Sequence, residues 1–98
     1  MIKVIKNGNC IKIYGHAEFD TFGKDIVCAS VSSIIYTTVN GLYSINDKSI
    51  KFSDNDEYME ILILSSDDIT TKLITNMLEL LKSLAKDYPK NIEVINKK

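Results

Sequence analysis

Along this 98-residue chain the spacing of apolar residues changes four times, and that alternation of periods limits the folds open to it. Ile2-Lys3-Val4 and Ile11-Lys12-Ile13 repeat every second residue, with Asn7-Gly8 between them, which predicts two antiparallel strands joined by a tight turn. From Ile26 the repeat lengthens. Val27, Val31, Ile34, Ile35, Thr38, Val39 and Leu42 recur at threes and fours, which predicts a helix of about four turns closing near Asn40-Gly41. Its many β-branched residues favour strand, but a run this long without an internal breaker is helical by length.

Two more alternating runs, Ser49 to Ser53 and Glu57 to Leu64, flank Asp54-Asn55-Asp56 and predict a second hairpin. Ser66 or Asp67 then caps an amphipathic helix whose apolar face carries Leu73, Ile74, Met77, Leu81, Leu84, Ala85 and Tyr88. Pro89 ends it, and Asn91 to Ile95 alternate as a last strand before a solvated Lys97-Lys98 tail. The predicted fold is a two-layer α/β sandwich: a five-stranded mixed sheet with two helices, in the order ββαββαβ. The run from Glu57 to Leu64 ends apolar on both faces, so a second copy of the chain is expected over the far face of the sheet. A central strand covered on both sides within one chain fits the same pattern.

Composition excludes several classes. At this length there is room for one domain, and 45% hydrophobic residues suffice for a core without staples or metals. Twelve basic residues, every one a lysine, against thirteen acids leave a net charge of −1. Such a chain has no field to hold a phosphate backbone and no guanidinium fork to read one. The five Tyr and three Phe are scattered and form no stacking platform for single-stranded RNA. No stretch reaches the roughly eighteen apolar residues of a membrane span, and Met1 to Lys6 alternate unlike a signal peptide, so a soluble cytoplasmic protein is expected. In that compartment Cys10 and Cys28 are expected as reduced thiols. Two Cys and one His fall short of a zinc site, so neither metal nor other cofactor is expected.

One constellation offers chemistry. His16 follows the second predicted strand, and Cys28 falls in the first turn of the first predicted helix, with Asp25 as its N-cap. Unpaired N–H groups and the helix dipole at that position favour a thiolate, and a neighbouring imidazolium favours it further. Cys28 would attack a carbonyl, His16 would carry the proton to a leaving amine, and Asp25 would cap the helix or orient His16. The same N–H groups would receive the developing oxyanion. Ser32, four residues after Cys28, shares its helix face. The link from Ala17 to Lys24 carries Phe19, Phe22 and Gly23, suited to a mobile lid with an apolar lining. On spacing alone the ordinary alternatives lead: a lone His is usually a surface or satisfied residue, and a helical Cys a small buried hydrophobe. Cys10, at a strand start, is expected to be structural or exposed and without a partner.

Gly15-His16-Ala17, then Gly23-Lys24-Asp25-Ile26-Val27-Cys28-Ala29, then Val31-Ser32, resembles the ribosomal-processing cysteine protease family, Prp, whose signature reads G-H-A, a loop, then G-x-D-I-V-C-A-x-V-S. The resemblance runs the length of the chain and implies a single cysteine protease domain over residues 1–98. It implies a homodimeric bacterial endopeptidase that removes an N-terminal extension from the precursor of large-subunit ribosomal protein twenty-seven. The family's dyad falls on His16 and Cys28, and its supporting Asp and Ser on Asp25 and Ser32. Gly15, Ala17, Phe19, Phe22 and Gly23 fall where substrate would be met. Glu18 to Phe22 leave Gly23 as the only glycine of a loop that is glycine-rich in relatives, and Ser30 stands where relatives often have Ala. The competing expectation is a non-catalytic ribosome-associated or assembly module of the same fold, with Cys28 structural.

Overall fold

The computed structural model describes residues 1–15, 22–55 and 57–97, of which 22–25 as backbone only. The elements are β1 (Ile2–Asn7), β2 (Cys10–Tyr14), α1 (Phe22–Ile45), β3 (Ile50–Asp54), β4 (Tyr58–Ile63), α2 (Asp68–Asp87) and β5 (Ile92–Lys97), which is the predicted order. The strands form one sheet in the order β3-β4-β2-β1-β5. It is mixed, because β5 lies parallel to β1 while the other pairs are antiparallel.

Alternation in the strands translates directly into two faces. Ile2 and Val4, Ile11 and Ile13, Met59 and Ile61 are buried beneath the helices, while Lys3, Lys12, Tyr14, Lys51 and Ser53 stand on the opposite face. β4 therefore alternates more cleanly than its composition suggests. Met59 and Ile61 serve the core, Tyr58, Glu60 and Leu62 are half-buried on the open face, and Leu64 lies beyond the strand, exposed.

Asn7 pairs with Cys10, so the β1–β2 turn is centred on Gly8-Asn9 rather than on Asn7-Gly8. Gly8 takes φ 61°, and no described non-glycine residue has positive φ, which is the type II′ pattern with glycine first. At the β3–β4 turn the Asn55 carbonyl oxygen accepts from the N–H groups of Glu57 and Tyr58, at 2.8 and 2.9 Å, and so holds the chain reversal with a side chain.

α2 matches its sequence pattern closely. Asp67 caps it, its carboxylate accepting the Thr70 N–H at 2.7 Å. Ile74, Met77 and Leu81 are buried as the spacing predicts; Leu78 joins them, and Tyr88 becomes the C-cap, 40% exposed. Each large apolar side chain fully buried this way contributes roughly 1.5–3 kcal/mol. The last strand runs to Lys97, so that lysine is paired with Asn7 of β1 and is not part of a loose tail.

α1 differs most from expectation. It begins at Phe22 and ends at Ile45, one turn beyond the predicted helix at each end. Asn40-Gly41 does not stop it, because Leu42 is buried at 1% exposure and Tyr43 accepts the Phe52 N–H at 2.7 Å, tying the last turn to edge strand β3. That bond also occupies an outward N–H of an edge strand. Residues Ile26–Ile45 are long and apolar enough to cross a membrane by length and composition, a run that the alternating polar positions conceal in the sequence. Val27, Val31, Ile35, Val39 and Leu42 are spent on the sheet and α2, as in the core helix of a two-layer domain.

Candidate active site

β2 and α1 carry the candidate residues. β2 delivers the chain to Gly15, which is half-buried with φ 83°. His16, Ala17 and Phe19 lie outside the described residues, and the contact between His16 and Cys28 with them. Phe22, Gly23 and Asp25 are in the first turn of α1.

The helix start moves the chemistry. Asp25 is the fourth helical residue and does not cap the helix; Cys28 is the seventh and sits in the second turn. Its N–H therefore belongs to the intrahelical ladder, as does that of Asp25, and the described N–H groups without intrahelical partners are those of residues 22–24. The dipole effect also fades beyond the first turn, so helix position alone does not activate this thiol as the sequence spacing suggests.

Cys28 is 1% exposed within the core cluster, between Val27 and Val31. Both cysteines are thiols and not half-cystines. Ser32, one turn on, is half-buried, and Ala29 is exposed. Ser30 donates its hydroxyl to the Ile26 carbonyl at 2.9 Å, an ordinary helical back-bond. A thiol so placed can form a thioester with a substrate only where its sulfur is reached past these small neighbours.

Next to Gly15 the open sheet face bears a polar cluster that spacing did not single out. Tyr14 and Tyr58 meet with ring centroids 5.4 Å apart, the Lys12 ammonium lies 5.0 Å over the Tyr58 ring, and it stands 3.9 Å from Glu60. Cys10 is not partnerless, as expected, but donates to the Glu60 carboxylate at 3.5 Å. Burial and then the Glu60 contact push its thiol pKa up, so Cys10 is the less activated kind of thiol. The one sequence signal for this cluster is period two, which puts Cys10, Lys12 and Tyr14 on one face; their partners on β4 come only from the register.

A cavity of about 340 Å³ lies at the far end of the sheet, where Lys6, Asn9, Ile63 and Asn96 face Thr75 and Lys82 of α2. It is formed where β1 ends, whereas Gly15 follows the end of its antiparallel neighbour β2, so this cavity is not part of the thiol site. Among the described residues no group of His, Cys, Asp and Glu could hold a metal ion.

Five strands in one mixed sheet, two helices and a cysteine buried in the second turn of the first helix define a small two-layer α/β protein. Within that class the chain belongs to the cysteine protease Prp family, whose model matches residues 1–93. A ribosomal processing cysteine protease Prp from Mycoplasma genitalium is 35% identical over 98% of this chain and 95% of its own length. One from Mycoplasma pneumoniae is 37% identical over 94% and 91%. The crystal structure of an essential ribosomal processing protease Prp from S. aureus with a substrate peptide superposes with a TM-score of 0.85 at 21% identity, covering 98% of this chain and 97% of that one. The fold is therefore that of the Prp proteases, and the chain is a cysteine protease by family.

Proposed function

We propose that this protein is a processing endopeptidase that removes the N-terminal extension from the precursor of bacterial large-subunit ribosomal protein twenty-seven, with His16 and Cys28 as its catalytic dyad. The observation that carries the reading is the family match over residues 1–93, which spans Gly15, His16, Asp25, Cys28 and Ser32 together. Cys28 attacks the scissile carbonyl as His16 takes its proton; the C–N bond breaks as His16 returns that proton to the leaving amine. Water, deprotonated by His16, then opens the thioester and restores the thiol. The oxyanion is received by N–H groups of residues 22–24 at the start of α1.

Asp25 orients His16, and Ser32 supports the thiol from one helical turn away. Gly15, Ala17, Phe19, Phe22 and Gly23 meet the substrate, the two rings facing its apolar side chains. The partner is a polypeptide and not nucleic acid or a membrane, and the reaction takes place in the cytoplasm with no cofactor. A second copy covers the open sheet face, where Ile5, Leu62 and Tyr58 are half-buried and Tyr14 is exposed; the protein is then a homodimer.

The test is direct. A peptide spanning the extension junction is incubated with the protein and with Cys28→Ala. Cleavage by the first alone is the expected result. Equal cleavage by both, or by neither, refutes the protease reading, and a folded protein cleaving nothing points instead to the non-catalytic assembly module.

A further inference from the structure

The two edges of the sheet are finished differently. At β3 the outward N–H of Phe52 donates to the Tyr43 hydroxyl at 2.7 Å, so α1 covers part of that edge. β5 is the other edge. The Ile2 N–H donates to the Asn91 carbonyl at 2.8 Å, and in a parallel ladder every second residue from there, Glu93, Ile95 and Lys97, turns its N–H and C=O toward β1. Ile92, Val94 and Asn96 therefore turn theirs outward. The Tyr88 carbonyl accepts the Ile92 N–H at 3.2 Å, but the N–H groups of Val94 and Asn96 have no such partner among the described residues.

An edge left this way is a template for another strand unless its side chains repel one. On β5 they do the opposite. Glu93, Ile95 and Lys97 share the open face of the sheet with Lys3, Ile5 and Asn7, their neighbours on β1. Glu93 and Lys97 are exposed, stand symmetrically about Ile95 and carry opposite charges; among the described residues neither is in an ion pair. Such a strand is complementary to its own copy run antiparallel. With the axis at Ile95, Glu93 faces the partner's Lys97, whereas an axis at Glu93 sets like charges against each other and one at Val94 leaves both charges unpaired.

We propose that β5 is a self-association edge: it pairs antiparallel with β5 of a second copy about a two-fold axis at Ile95, joining the two sheets into one. Val94 exchanges both N–H···O bonds with the partner's Asn96, and Asn96 with the partner's Val94. The Ile95 side chains meet at the axis as a non-hydrogen-bonded pair, flanked on each side by a Glu–Lys pair. The contact is made by the strand edge, so it is distinct from the copy placed over the open face above, and nothing in it rests on Cys28.

The test is cross-linking in a Cys10→Ser background, which removes the half-buried thiol and leaves the buried Cys28. Ile95→Cys, Glu93→Cys and Lys97→Cys are each oxidised with copper phenanthroline, as is a mixture of the last two. Ile95→Cys is expected to form a disulfide-linked dimer, because residues opposed in a non-hydrogen-bonded pair are about 4.5 Å apart at Cα, within the span of a disulfide. Glu93→Cys and Lys97→Cys are expected to cross-link when mixed and hardly alone, since each opposes the other. Sedimentation equilibrium reads the charges in chains without added cysteines. Lys97→Glu is expected to weaken association about tenfold, and combining it with Glu93→Lys to restore it to within about twofold.

No dimer from Ile95→Cys beyond the Cys10→Ser parent would overturn the proposal. So would Glu93→Cys cross-linking alone as fully as in the mixture, or a double exchange that associates no more strongly than Lys97→Glu. Should a substituted chain fail to fold by circular dichroism, the mixed pair at the exposed positions 93 and 97 decides. Association unchanged in Lys97→Glu would overturn the edge contact and leave the copy over the open face standing.

Discussion

Replacing Gly41 by alanine should stabilise the protein. Gly41 lies inside α1, four residues before its end, and an added Cβ would meet nothing within 4 Å. Its φ is not among the positive values, so alanine suffers no backbone strain there. What remains is the difference in helix propensity, about 0.8–1.0 kcal/mol, most of it the conformational freedom that glycine has in the unfolded chain. With an unfolding entropy of about 2.1 cal/mol/K per residue, a domain of 98 residues should gain about 5 °C in Tm. The same substitution at Gly8, where only the positive φ resists, should destabilise by about 1 kcal/mol. Both are read by thermal and denaturant unfolding of the purified protein. An unchanged or lowered Tm for Gly41→Ala would refute the continuation of α1 through Asn40-Gly41, because in a turn that glycine would not favour alanine.

Two further expectations concern titration. The Tyr36 hydroxyl donates to the Asp54 carboxylate, and that bond, with burial and the carboxylate's charge, pushes its pKa up to about 12. The folded value lies above the unfolded one, so the contribution to stability is complete below about pH 10 and is lost as pH rises toward 12. Absorbance titration of the five tyrosines should lose its latest phase in Tyr36→Phe; an identical curve would refute the bond. For Cys10, Glu60→Gln should shift the pH midpoint of alkylation downward, because the negative charge that opposes the thiolate is gone and the amide N–H can donate to it. A midpoint unmoved in mass-spectrometric labelling would show that burial alone raises it.

The candidate site was legible as a motif and illegible as geometry. Gly15, Cys28 and Ser32 stand out by type and spacing, but the environment of Cys28 depends on where α1 begins. Nothing in Phe22-Gly23-Lys24-Asp25 marks that start, since an Asp before an apolar run reads equally as a cap or as a first-turn acid. Four residues of difference convert a dipole-activated thiol into one inside the hydrogen-bonded helix, with 1% of its surface exposed.

By itself the sequence determined what is local. Period two produced the strands and their buried faces, Asn55 its turn, Asp67 its cap, and the 3.6 repeat the buried stripes of both helices; each of these signals acts within a few residues. The tertiary structure alone decided what depends on distant partners. It placed β5 parallel beside β1, carried α1 past Gly41 by burying Leu42 and bonding Tyr43 to Phe52, and set Cys10 against Glu60. It also brought the Met1 carbonyl against Gly15, leaving no room for a side chain. Such contacts form only when the sheet closes, because the register that makes them joins residues far apart in the chain.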